Sequence, residues 1–112
     1  MPEEQPLLMP RRLAIQILHE AQIAQPQAIR GVVIACDNQP AAFQLGEANV
    51  PRQDLWARCW SHPQAPAVPV ADELAAGGLH LLISLNTKGV LEMRAWELHA
   101  GQPHERILKV KD

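Results

Sequence analysis

Thirteen consecutive residues, Cys59 to Ala71, carry no formal charge, and Pro63, Pro66 and Pro69 stiffen the stretch. Loops on soluble proteins usually stay wet and polar, so a connection this long and this neutral is not a random connector. His62 stands near its start, and Asp72-Glu73 close it where a short helix is expected to begin. A histidine and a carboxylate at the two ends of a rigid loop can converge on one point. That is the geometry of a metal site or a buried polar site, and the rest of the reading turns on which.

The 112 residues suffice for one domain that buries about two thirds of its unfolded surface. With a net charge of −2, the chain has no basic patch for nucleic acid and no stacking platform for single strands. Its two cysteines, Cys36 and Cys59, lack CxxC spacing and sit in apolar runs, where a free thiol acts as a small hydrophobe. Met1–Glu4 is acidic, Leu7-Leu8-Met9 is too short for a signal core, and no apolar run approaches the roughly 18 residues of a membrane span. The expectation is a cytoplasmic protein with no membrane partner.

Residues 1–10, with three prolines, read as an extended lead-in, and residues 11–112 as a single domain. Arg11 to Gln25 has helical period, with Ala14, Ile17, Leu18, Ala21 and Ala24 on one stripe that Leu13 and Ile15 widen. Pro26 ends it, and His19 lies on its polar flank. Ile29–Cys36 is a strand-length apolar run of the kind covered on both faces. Asp37–Pro40 turns the chain into a second strand, Ala41–Leu45. A loop with a short helical turn, 46–54, leads to a third strand, Leu55–Trp60. Val70–Ala76 reads as a short helix stopped by Gly77-Gly78. Leu79–Leu85 is a central strand in which His80 is a satisfied core histidine, and Asn86-Thr87-Lys88-Gly89 a hairpin turn. Val90–His99 alternates, with Leu91, Met93 and Ala95 opposite Glu92 and Arg94, and Glu105–Val110 is a last, charged edge strand. The fold class is α/β in the α+β sense: a mixed β-sheet with one long N-terminal helix packed on it and a short second helix.

The loop and its flanks resemble the JAB/MPN (JAMM, Mov34-like) domain family, whose metal motif is His-x-His, seven residues, then Ser-x-x-Asp. Laid on this chain without gaps, the two His positions fall on Trp60 and His62, the spacer on Pro63 to Pro69, the Ser position on Val70 and the Asp position on Glu73. The N-terminal helix, the strand containing Gly31-Val32-Val33, and the closing segments Leu79–Leu85 and Glu92–Trp96 agree with the family over residues 11–110. The connection 46–54 is shorter than in many relatives. Members with the full motif are similar in chemistry: two His and one Asp hold zinc, a Glu before the first strand is the general base, and isopeptide or peptide bonds are cleaved, often behind ubiquitin-like carrier proteins. The base lies in an E-x-C-G-like context that becomes Ala28-Ile29-Arg30-Gly31 here.

Set against that chemistry, the site is incomplete. A zinc hydrolase needs three protein ligands and an open position. The indole of Trp60 offers no lone pair, and Cys59, one residue away on extended chain, points to the opposite face. His62 and Glu73 remain, with Asp72 nearby. Ala28 cannot serve as a base, a contribution of about 10²–10⁴ in rate, and Val70 lacks the hydroxyl that would help hold an oxyanion. The resemblance therefore implies a metal-free, non-catalytic module that binds a protein partner, either itself as a homodimer or another MPN-type domain, with His62 hydrogen-bonded to Asp72 or Glu73 and Trp60 filling the vacated pocket. The alternative is a zinc-dependent isopeptidase or metallopeptidase using His62, Glu73, Asp72 and a distant histidine on ubiquitin-like carrier proteins. A third reading is an unrelated mixed-sheet domain.

Overall fold

A computed structural model describes residues 5–46, 51–62, 67–75, 77–85 and 92–111. The expected turn at Asn86–Gly89, Leu91, and the loop prolines Pro63 and Pro66 lie outside those residues.

The chain forms β1 (Leu7–Pro10), α1 (Arg11–Ile23), β2 (Arg30–Cys36), β3 (Gln39–Leu45), β4 (Leu55–His62), β5 (His80–Ser84), β6 (Glu92–His99), β7 (Gln102–Arg106) and β8 (Leu108–Lys111). Among the described residues, single 3-10 turns at Arg52–Asp54 and Ala71–Leu74 join these elements. Six strands make one sheet in the order β3-β2-β4-β5-β6-β7, antiparallel throughout except for the parallel pair β4–β5. This is the mixed sheet of an α+β protein. Among the described residues no helix is long and apolar enough to cross a membrane.

Helix α1 packs on one face of the sheet through Leu13, Ala14, Ile17 and Ala21, which meet Val33, Ala57, Cys59, Leu81, Ile83 and Ala95. Leu18 and Ala24 join from the edge of the stripe. Ile15 does not: it is 59% exposed, because it stands about 100° around the axis from Ala14 and about 200° from Ile17. On the opposite face Ala67, Leu74, Leu82 and Trp96 form a second, smaller core, with Trp60 and Leu98 against it. Two covered faces explain why β5 is buried along its whole length and why its middle, Leu81-Leu82-Ile83, is apolar without alternation. In β6, Met93 and Ala95 face the helix while Trp96 and Leu98 serve the second core.

Between β2 and β3 the turn residues Asp37 and Asn38 both have positive φ, 53° and 64°, the backbone that a tight hairpin requires and that Asn and Asp tolerate.

Three expectations are corrected. The last strand is two: β7 is the edge of the main sheet, and after Ile107 the chain departs as β8 to pair in parallel with β1. The adjacent apolar pair Ile107-Leu108 marks the break, since two apolar residues in succession interrupt period-2 alternation. Strand β4 runs two residues past Trp60, because parallel β5 offers partners as far as His62–Ser84. The short helix is a single 3-10 turn, Ala71–Leu74, closed by Gly77 N–H donating to the Leu74 carbonyl at 3.0 Å.

Candidate functional site

Residues two apart on a strand share a face, so β4 presents Arg58, Trp60 and His62 together on the side of the second core. Ser61 points the other way, is buried, and clamps the neighbouring segment: its hydroxyl accepts the Ile29 N–H at 2.9 Å while its own N–H donates to the Ile29 carbonyl at 3.1 Å. This fixes Ala28–Arg30 beside the site. Ser61→Ala would leave a buried N–H without its acceptor, a cost of about 2 kcal/mol. Urea denaturation checks it, and a loss below about 0.5 kcal/mol would show that the clamp does not hold the segment.

The far side of the site comes from the segment 67–75. The Trp96 indole N–H donates to the Ala67 carbonyl at 3.1 Å, and Leu74 is fully buried, which seats the 3-10 turn on the sheet. Glu73 then reaches back in two directions. Its Oε1 accepts the Val70 N–H at 2.9 Å, and its Oε2 lies 3.4 Å from His62 Nε2. The same ring nitrogen lies 3.3 Å from the Trp60 indole nitrogen, which donates to it. One nitrogen cannot accept from an indole and donate to a carboxylate at once. His62 therefore has two alternative arrangements: protonated only on Nδ1 it receives the Trp60 N–H, and with a proton on Nε2 it donates to Glu73.

Trp60, His62 and Glu73 thus come together. Val70 contributes its backbone N–H, while its side chain is 62% exposed. Asp72 is exposed on the same turn, its carbonyl accepting the Ala75 N–H at 3.3 Å, and Ala28 is exposed before β2. Among the described residues, no three His, Cys, Asp or Glu side chains lie close enough to hold a metal ion.

Beside this cluster is a cleft of about 160 Å³ lined by Arg30, Gly31, Arg58, Cys59, Trp60, Glu73 and His80. His80 is buried with its ring edge-on to the Trp60 indole, centroids 5.1 Å apart. The sequence reading missed Arg30 and Arg58 as site residues. For Arg58 the signal was present, in the alternation Arg58-x-Trp60-x-His62. Burial pushes the Cys59 thiol up to about 12, so at pH 8 almost none of it is thiolate. In the native protein a thiol reagent should label Cys36, which is exposed, and reach Cys59 only after denaturation; rapid native labelling of both would contradict the packing.

The fold has solved counterparts. JAB1/MPN domain protein AF2198 from Archaeoglobus fulgidus matches over 95% of this chain and 99% of that one, with TM-score 0.72 and 16% identity. A structure described as a metalloprotease-like zinc site in the proteasome and signalosome, JAMM, matches over 96% and 100%, with TM-score 0.70 and 16% identity. The solution structure of DSY2949 from Desulfitobacterium hafniense matches over 95% and 93%, with TM-score 0.68 and 16% identity. No family model and no curated protein matches the sequence. The chain has a JAB1/MPN-like fold.

Proposed function

We propose that this protein is a non-catalytic JAB/MPN-like module that acts in the cytoplasm by binding another protein. One observation carries the reading: the nitrogen of His62 that would face a metal is met at 3.3 Å by an indole N–H, a donor with no lone pair to give. The residues present do not fit a zinc centre. His62 Nε2 and Glu73 Oε2 are two donors where three are needed, and no third described His, Cys, Asp or Glu joins them. Ala28 and Val70 supply neither a base nor a hydroxyl, so the proton transfers of bond hydrolysis have no carrier at those positions. The partner is a protein, either a second copy of this chain or another module of the same fold.

Calorimetric titration of the metal-free protein with zinc, paired with a cleavage assay on a ubiquitin-like carrier extended at its tail, tests this. The expected result is no stoichiometric zinc site involving His62 and no cleavage. A 1:1 zinc site abolished by His62→Ala, together with cleavage that the same substitution removes, would establish the metallopeptidase instead. Sedimentation of the protein alone distinguishes a second copy from a different partner.

A further inference from the structure

We infer that the β6–β7 hairpin carries a metal site of its own, in which His99 and His104 together chelate a divalent transition-metal ion, Cu(II) most tightly. The site shares no residue with the cluster at His62. It goes beyond the protein-binding reading and does not depend on it.

Hairpin geometry builds the pair. Glu97 pairs with His104 and His99 with Gln102, so His99 and His104 are diagonal neighbours on one strand face. Period 2 places them on the side of β6 that Ala95 turns to the helix, away from Trp96 and Leu98. Only Ala100 and Gly101 join the strands, with φ of 53° and 78°, the positive values of a tight two-residue turn. A connection that short fixes the register, and β6 is paired along its other edge with β5. The imidazoles arrive with centroids 5.6 Å apart and planes tilted by 43°. An ion bound to one nitrogen of each ring at about 2.0–2.1 Å holds the centroids about 5–6 Å apart. The backbone thus sets the span, and the broad χ2 torsion of histidine turns the nitrogens to the ion. His99 is exposed and His104 half-buried, so an ion reaches the pair from solvent.

The donors then select the ion. Each ring ligates through one nitrogen and keeps the other for a hydrogen-bond partner, the usual arrangement of ligating histidines. Glu97, on the same face, is met at 3.2 Å by Arg106 Nη1, so the pair attracts through its lone pairs more than through charge. Imidazole suits copper, nickel and zinc, whereas Mg2+ and Ca2+ seek oxygen, and Cu(II) binds a given nitrogen site most tightly. Among the described residues no third His, Cys, Asp or Glu joins the pair, which leaves the other positions of the ion to water. Two imidazoles and water suit the tetragonal preference of Cu(II) better than the closed tetrahedron of a structural zinc.

Titration of the full chain with Cu(II), followed by 1H–15N NMR and by calorimetry, tests this. Bound Cu(II) is paramagnetic and broadens the signals nearest to it. In the unaltered protein the amides of His99, Ala100, Gly101 and His104 should broaden first, ahead of those of His19 and His62, and the signal loss should saturate at one ion per chain. His99→Ala and His104→Ala should each weaken binding at least about tenfold. The double variant should be no weaker than either single one, because a lone imidazole binds like any exposed histidine. His19→Ala, at an exposed position on α1, should leave the affinity unchanged, and Mg2+ should not bind. Broadening that starts at His19 or His62, binding undiminished by His99→Ala, or equal binding of Mg2+ would each overturn the site. The broadening pattern uses the unaltered protein and needs no variant. His62→Ala should leave copper binding at the hairpin intact, so this result and the zinc result at His62 are read separately.

Discussion

Gly31→Ala should lower the free energy of unfolding by about 3 kcal/mol, and Tm by roughly 10–20 °C for a chain of this size. Gly31 lies between Leu45 of β3 and Cys59 of β4 in the middle of the sheet. A Cβ there would stand 2.5 Å from the Gln44 carbonyl oxygen and 2.7 and 2.9 Å from two carbons of the Phe43 ring. The ring can swing aside. The carbonyl belongs to the β3 backbone and is held by the ladder, so the strands themselves must separate. The requirement is one of space: φ at Gly31 is not in the left-handed region. Urea denaturation measures the effect, and a change within about 0.5 kcal/mol would mean that β3 does not cross Gly31 as closely as described.

Local pattern carried much of this architecture, and long-range pairing carried the remainder. The helix announced itself through the spacing of Ala14, Ile17 and Ala21, and β5 through a short, largely apolar run of the kind a strand covered on both faces holds. The β1–β8 pair was illegible, since residues about a hundred positions apart meet there with no shared local signal; Met9, fully buried in the main core, looked like part of a proline-rich lead-in. The single strand expected over Glu105–Val110 failed for the same reason, because what ends β7 is the distant partner waiting for Leu108. At the site, the meeting of His62 with a carboxylate of the Asp72-Glu73 pair followed from loop geometry, and it is Glu73 that arrives. The indole N–H aimed at the same nitrogen could not be read from spacing, since it depends on a side-chain torsion. The arginine cleft depends on register: only the pairing of Arg30 with Trp60 places Arg30 beside Arg58, and a slip of one residue would turn it to the other face.

Replacing Trp60 by histidine should create a zinc site where the described residues of the unaltered chain supply two donors. Position 60 shares its strand face with position 62, and the indole nitrogen already lies 3.3 Å from His62 Nε2, with Glu73 Oε2 3.4 Å from the same atom. Trp60→His would thus bring a second imidazole to a histidine and a carboxylate, the three-donor set that leaves a fourth position to water. Losing even an outer partner of a metal ligand costs roughly 10–100-fold in affinity, so gaining a direct ligand should raise zinc affinity by at least about 100-fold. Trp60→Phe, which opens space without adding a donor, should gain nothing, and Glu73→Gln in the Trp60→His background should remove most of the gain. Cleavage should not follow, because Ala28 and Val70 still offer no proton acceptor and no hydroxyl, and general-base assistance alone is worth about 10²–10⁴ in rate. Calorimetry separates the outcomes. Equal zinc affinity for the unaltered chain and Trp60→His would mean that Trp60 was never the obstruction.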